Sequence, residues 1–115
     1  MAKMKATPRT YAQAAEYLAG RDSVKLGNNT WLVRLDCDRI AVRLHDTYIV
    51  QFWPDGRVTL HTGGYYSVTT KERLNQFITG RVYAHKYAWY YRLPHQTGDT
   101  GRADVIFFEG MDVSA

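Results

Sequence analysis

Between residues 39 and 78 short apolar runs alternate with turn signals: IAVRL, HDT, YIVQFW, PDG, RVTLHT, GG, YYSV and TTKERLNQFI. Each apolar run ends in a turn signal, the pattern of successive strands. Pro54-Asp55-Gly56 is the clearest turn: proline presets φ, aspartate bonds its own backbone and glycine takes the left-handed position. The pattern predicts strands over 30–35, 39–44, 48–53 and 57–62, with shorter ones at 24–26 and 65–68.

Register follows from the turns, because a one-residue slip moves every side chain to the other face. If Trp53 and Arg57 close the PDG turn, Phe52 faces Val58 and Val50 faces Leu60. A three-residue loop His45-Asp46-Thr47 sets Leu44 opposite Tyr48, Val42 opposite Val50 and Ile40 opposite Phe52. A turn with Cys37-Asp38 at its tip sets Leu35 opposite Ile40, Val33 opposite Val42 and Trp31 opposite Leu44. One face then gathers Trp31, Val33, Leu35, Ile40, Val42, Leu44, Val50, Phe52, Val58 and Leu60. The agreement of three turns on one apolar face supports an antiparallel meander.

Helical spacing appears twice. Tyr11, Ala14, Ala15 and Leu18 fall at i, i+3, i+4 and i+7, which predicts a helix over 8–19 with Thr7-Pro8 at its start and Gly20 at its stop. Leu74, Phe77 and Ile78 form the stripe of a second helix, opened by Thr69-Thr70-Lys71-Glu72 in the manner of a capping box and ended by Gly80. Residues 81–93 read as a hairpin turning near Lys86, 94–104 as a long loop, and 105–108 as a final strand. Residues 1–6 read as a flexible tail. The expected architecture is α+β: one domain over residues 1–115, an antiparallel meander of about five or six strands, and two helices packed on one face.

Composition alters this picture little. A chain of 115 residues can bury a core without metal or disulfide staples. The single cysteine, Cys37, excludes an internal disulfide and fits a reducing compartment. The start MAKMKATPRT has no apolar secretory core and no run is long enough to cross a membrane. The net charge of +4 is compatible with an anionic partner without requiring one.

The outward face of the expected meander carries the chemistry. It holds Arg34, Arg39, Arg43 and Arg57, with Trp53, His61, Gln51, Thr59, Thr30, Leu32 and Ile49. Guanidinium pairs bidentately with phosphate and aromatic rings stack on bases, so such a face suits single-stranded nucleic acid. The candidate anion-binding set is Arg34, Arg39, Arg43, Arg57, Trp53 and His61. Two blander readings stand beside it. Arginine stems commonly cover apolar neighbours on a solvent face, and Leu32, Ile49 and Trp53 would be explained if the 81–93 hairpin covered that face.

Signals for catalysis are weak. His45, His61, His85 and His95 lack metal-ligand spacing, and Cys37 has no partner cysteine. No serine stands in G-x-S-x-G, and Gly63-Gly64 lacks the following Lys-Ser/Thr of a phosphate loop. His85-Lys86 beside Tyr83 and Tyr87 would suit a metal-independent ribonuclease, with histidine as base and lysine steadying the phosphorane. No catalytic residue, metal or cofactor is assigned.

The runs LGNNTWLVR and IAVRLHDTYIVQFWPDGRVTLHTGGYYSVTTKERLNQF resemble a group of short uncharacterised bacteriophage proteins. The resemblance spans residues 26–77. It implies a phage or prophage product acting in the cytoplasm of a bacterial host, a setting in which small proteins bind nucleic acid, host proteins or nucleotide signals. It transfers no site. The expectation is a non-enzymatic binding module whose leading ligand is nucleic acid. The alternative is a host-directed inhibitor that binds a bacterial protein or sequesters a small nucleotide, and a small ribonuclease comes third.

Overall fold

In the computed structural model, which describes residues 7–93 and 104–114, the PDG turn joins β4 (Thr47–Phe52) to β5 (Arg57–Leu60). The turn closes as its residues dictate. The Trp53 amide donates to the Arg57 carbonyl at 2.9 Å, the Gly56 amide donates to Trp53 at 3.0 Å, and Gly56 takes φ 98°. The Asp55 carboxylate accepts the Arg57 amide at 3.0 Å. Phe52 faces Val58 and Val50 faces Leu60, as the sequence predicts.

Three further strands complete the meander: β1 (Ser23–Gly27), β2 (Thr30–Arg34) and β3 (Ile40–Leu44). The chain leaves for a small second sheet, β6 (Arg81–His85), β7 (Ala88–Arg92) and β8 (Val105–Ile106), and then returns as β9 (Met111–Ser114). The large sheet has the order β1-β2-β3-β4-β5-β9 and the small one β6-β7-β8, every pairing antiparallel. The fold is α+β. The hairpin turning at Lys86-Tyr87 is present, but it belongs to the separate small sheet. The final strand expected over 105–108 is shorter, and β9 was not foreseen. The tail expected over 1–6 and the loop expected over 94–104 lie outside the described residues, except Asp104.

Two turns differ from the expected register. The loop between β2 and β3 holds three residues, Asp36-Cys37-Asp38, with Cys37 and Asp38 at φ 59° and 60° and the Leu35 amide donating to Arg39 at 2.7 Å. Arg34 therefore faces Ile40, Leu32 faces Val42 and Thr30 faces Leu44. This one-residue slip inverts β2. Thr30 and Leu32, expected outward, are fully buried; Trp31 and Val33, expected in the core, are half-buried and opposite Arg43 and Ala41. The second difference is a bulge. Ile40–Phe52 and Val42–Val50 pair as expected, but Arg43 then faces Tyr48 and Leu44 faces Thr47, leaving Ile49 as the extra residue. The loop is only His45-Asp46, with His45 at φ 55°. Ile49 turns inward to 1% exposure beside Val50, and Tyr48 turns out.

Both helices pack on the inward face. α1 (Tyr11–Leu18) buries Ala14 and Leu18, as its spacing predicts, but starts at Thr10 and not at Thr7. The Thr10 hydroxyl accepts the Gln13 amide at 3.1 Å while the Gln13 side chain accepts the Arg9 amide at 2.8 Å, a reciprocal cap. The Thr7 hydroxyl instead donates to the Gln76 carbonyl. α2 (Val68–Gln76) is capped by Ser67, which accepts the Thr70 amide. It begins where a strand over 65–68 was expected, because Ser67, and not Thr69, reaches the free amide. Leu74, Phe77 and Ile78 follow into the core with Ile40, Val42, Val50, Phe52, Val58 and Leu60. The small sheet joins the same core through Val82, Tyr91 and Phe107, and the Asn75 side chain pins it to α2 by bonding both backbone groups of Val82.

Candidate nucleic-acid interface

Because helices fill one face of the large sheet, the other face is defined by what alternation turns outward. In β3 only Arg43 is half-buried and the other four residues are buried; Arg43 and the small Ala41 lie on the face opposite Ile40, Val42 and Leu44. Trp31 and Lys25 lie beside Arg43 in register, while Gln51, Thr59 and Asp112 form the neighbouring row, level with Ala41, across β4, β5 and β9. Neither Trp31 nor Trp53 belongs to the core cluster or packs against it.

Each tryptophan is overlain by arginine. The Arg43 guanidinium lies over Trp31, 5.9 Å from the ring centroid. Those of Arg39 and Arg57 lie over Trp53 at 4.8 and 4.3 Å. The attraction between cation and ring quadrupole favours this arrangement. A polar relay fixes the Trp53 ring: its indole N–H donates to Thr59 Oγ1 at 2.8 Å, and that hydroxyl donates to Asp112 at 2.7 Å. Arg39 donates to the Gln51 side-chain oxygen at 2.7 Å.

The arginines differ in their charge partners. Arg57 is paired with Asp55 at 3.0 Å and with Asp112 at 3.8 Å. Arg34, Arg39 and Arg43 have no carboxylate within 4.0 Å among the described residues. Arg43 Nε is buried without a hydrogen-bond partner. The positive character of the face is thus centred on β3, and β9 screens its far side.

The six expected site residues are only partly brought together. Arg39, Arg43, Arg57 and Trp53 share the outward face. Arg34, opposite Ile40, falls on the core side of the sheet at the end of β2, half-buried. His61 lies past the end of β5, with Nδ1 4.0 Å from Glu109. There Glu109 clasps the Gly63-Gly64 corner, accepting the amides of Thr62 at 2.7 Å and Gly63 at 3.2 Å, the Thr62 hydroxyl, and the Tyr66 hydroxyl at 2.8 Å. Burial acts to raise the Glu109 carboxyl, but these hydrogen bonds outweigh it and hold the group below its usual range. Three members of the face lie outside the sequence expectation: Trp31, which the slipped turn brings outward, Lys25 beside it, and Asp112 on β9.

The residues considered for a ribonuclease lie elsewhere. His85, Lys86 and Tyr87 are exposed around the tip of the β6–β7 hairpin. The Tyr83 hydroxyl donates to Asp104, a carboxylate also bonded by Arg92, and both donors hold the Asp104 carboxyl below its usual range. Among the described residues no group of three or more His, Cys, Asp or Glu side chains gathers as a metal site, and no helix is long and apolar enough to cross a membrane.

The fold and this face define an α+β protein with a twin arginine–tryptophan sheet surface. The chain belongs to the Kyanoviridae Gp96 protein family, a family of phage proteins, whose model matches residues 7–114. The match supports the expectation of a phage protein group. No curated protein and no solved structure matches the chain.

Proposed function

We propose that the outward sheet face binds single-stranded nucleic acid without base-specific chemistry. The observation that supports this is the pair of arginine-covered tryptophans in which Arg39 and Arg43 have no carboxylate partner among the described residues. A phosphate would supply the missing anion, and a base would stack on an indole as the guanidinium swings toward the backbone. Arg57, already paired, contributes less. The protein then acts in the host cytoplasm as a non-enzymatic binding module. The test is titration of fluorescently labelled single- and double-stranded DNA and RNA, with and without divalent metal. Saturable binding of intact single strands supports the reading; cleavage lost in His85→Ala would replace it with the ribonuclease.

A second reading, a host-directed inhibitor that binds a bacterial protein, is supported by the apolar rim of the small sheet. Val105, Ile106 and Phe108 are 45%, 67% and 59% exposed, an unusual grouping for a surface with no partner.

A further inference from the structure

We propose that the cavity beside the His45-Asp46 turn is a binding site for an unphosphorylated nucleoside. The cavity measures about 470 Å³ and lies between the β3–β4 turn, the 62–65 corner and the first turn of α2. That volume is typical of small-molecule sites, which run from about 300 to 1,000 Å³. It is separate from the arginine–tryptophan face, and the proposal does not depend on that face binding nucleic acid.

The lining pairs flat and apolar groups with hydroxyls. Leu44 and Ile49 form an apolar floor, and Tyr65 stands at the wall, 68% exposed. The Thr62, Ser67 and Thr70 hydroxyls are already engaged within the protein. Thr47, Tyr65 and Thr69 hydroxyls and the Asp46 carboxylate have no protein partner among the described residues. Gly63 lies close against Thr47: a Cβ there would lie 2.8 Å from the Thr47 hydroxyl, so only glycine lets the corner come this close.

Charge narrows the ligand. No lysine or arginine lines the cavity; its ionisable side chains include His45 and Asp46, the latter a carboxylate. A phosphate would meet the Asp46 carboxylate, and no lysine or arginine of the lining offsets that repulsion. A ribose diol, by contrast, is a good donor to a carboxylate. A heterocycle fits against the apolar floor and the Tyr65 ring, and threonine hydroxyls can accept from or donate to its polar edge.

The test is calorimetric titration of the full chain with adenosine, guanosine, cytidine and uridine, each beside its 5′-monophosphate and beside free ribose. At least one nucleoside should saturate a single site, with its monophosphate weaker by about tenfold or more. Asp46→Ala and Tyr65→Ala should each weaken it by about tenfold, while Arg43→Ala leaves it unchanged. Amide shifts of the unmodified protein should move at Thr47, Tyr65 and Thr69, a readout that survives any folding defect in a variant. The proposal is overturned if no nucleoside saturates a site, if the monophosphate or ribose binds as tightly, if Asp46→Ala binds like the parent chain, or if the shifts fall on β2 and β3 alone.

Discussion

Arg43 lies over the ring of Trp31, 5.9 Å from its centroid, and its Nε is buried with no hydrogen-bond partner. Register brings the two together, since Trp31 and Arg43 are direct cross-strand partners in β2 and β3. A buried guanidinium nitrogen without an acceptor is costly to keep.

The two tryptophans should act as stacking groups. Trp31→Ala and Trp53→Ala should each weaken single-strand binding by about 1–3 kcal/mol while leaving the salt dependence almost unchanged, because stacking releases few counterions. Titrations at several salt concentrations measure both quantities. A loss that vanishes at high salt would mean that the indoles act only by placing the arginines.

Phe52 in β4 is fully buried in the core that the sheet shares with the helices. Phe52→Ala should cost about 3–5 kcal/mol in urea unfolding, with the slope unchanged. A cost near that of a surface change would contradict the inward orientation of β4.

Gly80 is tightly enclosed. A Cβ there would lie 2.2 Å from the Tyr91 hydroxyl and 2.5 Å from the Arg92 carbonyl. Gly80→Ala should destabilise by about 1–3 kcal/mol through overpacking. Tyr91→Phe should destabilise by about 0.5–1.5 kcal/mol, since it removes a buried hydroxyl set against the Gly80 backbone. Thermal melts of both variants check this.

Acid should loosen the Gly63-Gly64 corner. The folded-state Glu109 carboxyl is held below its ordinary value of 4.5. A depressed carboxyl contributes stability above its unfolded pKa and loses it as pH falls through the folded one. The melting temperature should therefore drop below pH 4.5, and Glu109→Gln should flatten that drop while lowering stability at neutral pH. Asp104, depressed by Tyr83 and Arg92, adds a change of the same sign. An equally steep acid limb in Glu109→Gln would assign it to other carboxylates.

The sequence carried the meander because the PDG turn announces itself and three apolar runs agree on one buried face. It also carried both helical stripes. The face of β2 was not legible. Whether Asp36-Cys37-Asp38 makes a loop of two or three residues depends on Cys37 and Asp38 entering positive φ, and a cysteine gives no sign of that. The bulge at Ile49 was hidden for a related reason: an inserted residue leaves an apolar run that reads equally well without it. These two shifts decide that Trp31 joins the candidate interface and that Leu32 and Ile49 leave it. Pairing of β9 with β5 is a contact across about half the chain, with no local signature.

The central claim is that Arg39 and Arg43 meet phosphates. Its most direct test is the slope of log affinity against log salt for a single-stranded oligonucleotide, for the parent chain and for Arg39→Ala/Arg43→Ala. Losing two phosphate contacts should shrink the slope by about 1.4, and Arg57→Ala should shrink it by less, because Asp55 and Asp112 already pair with that arginine. Equal slopes for the parent and the double variant would contradict the account.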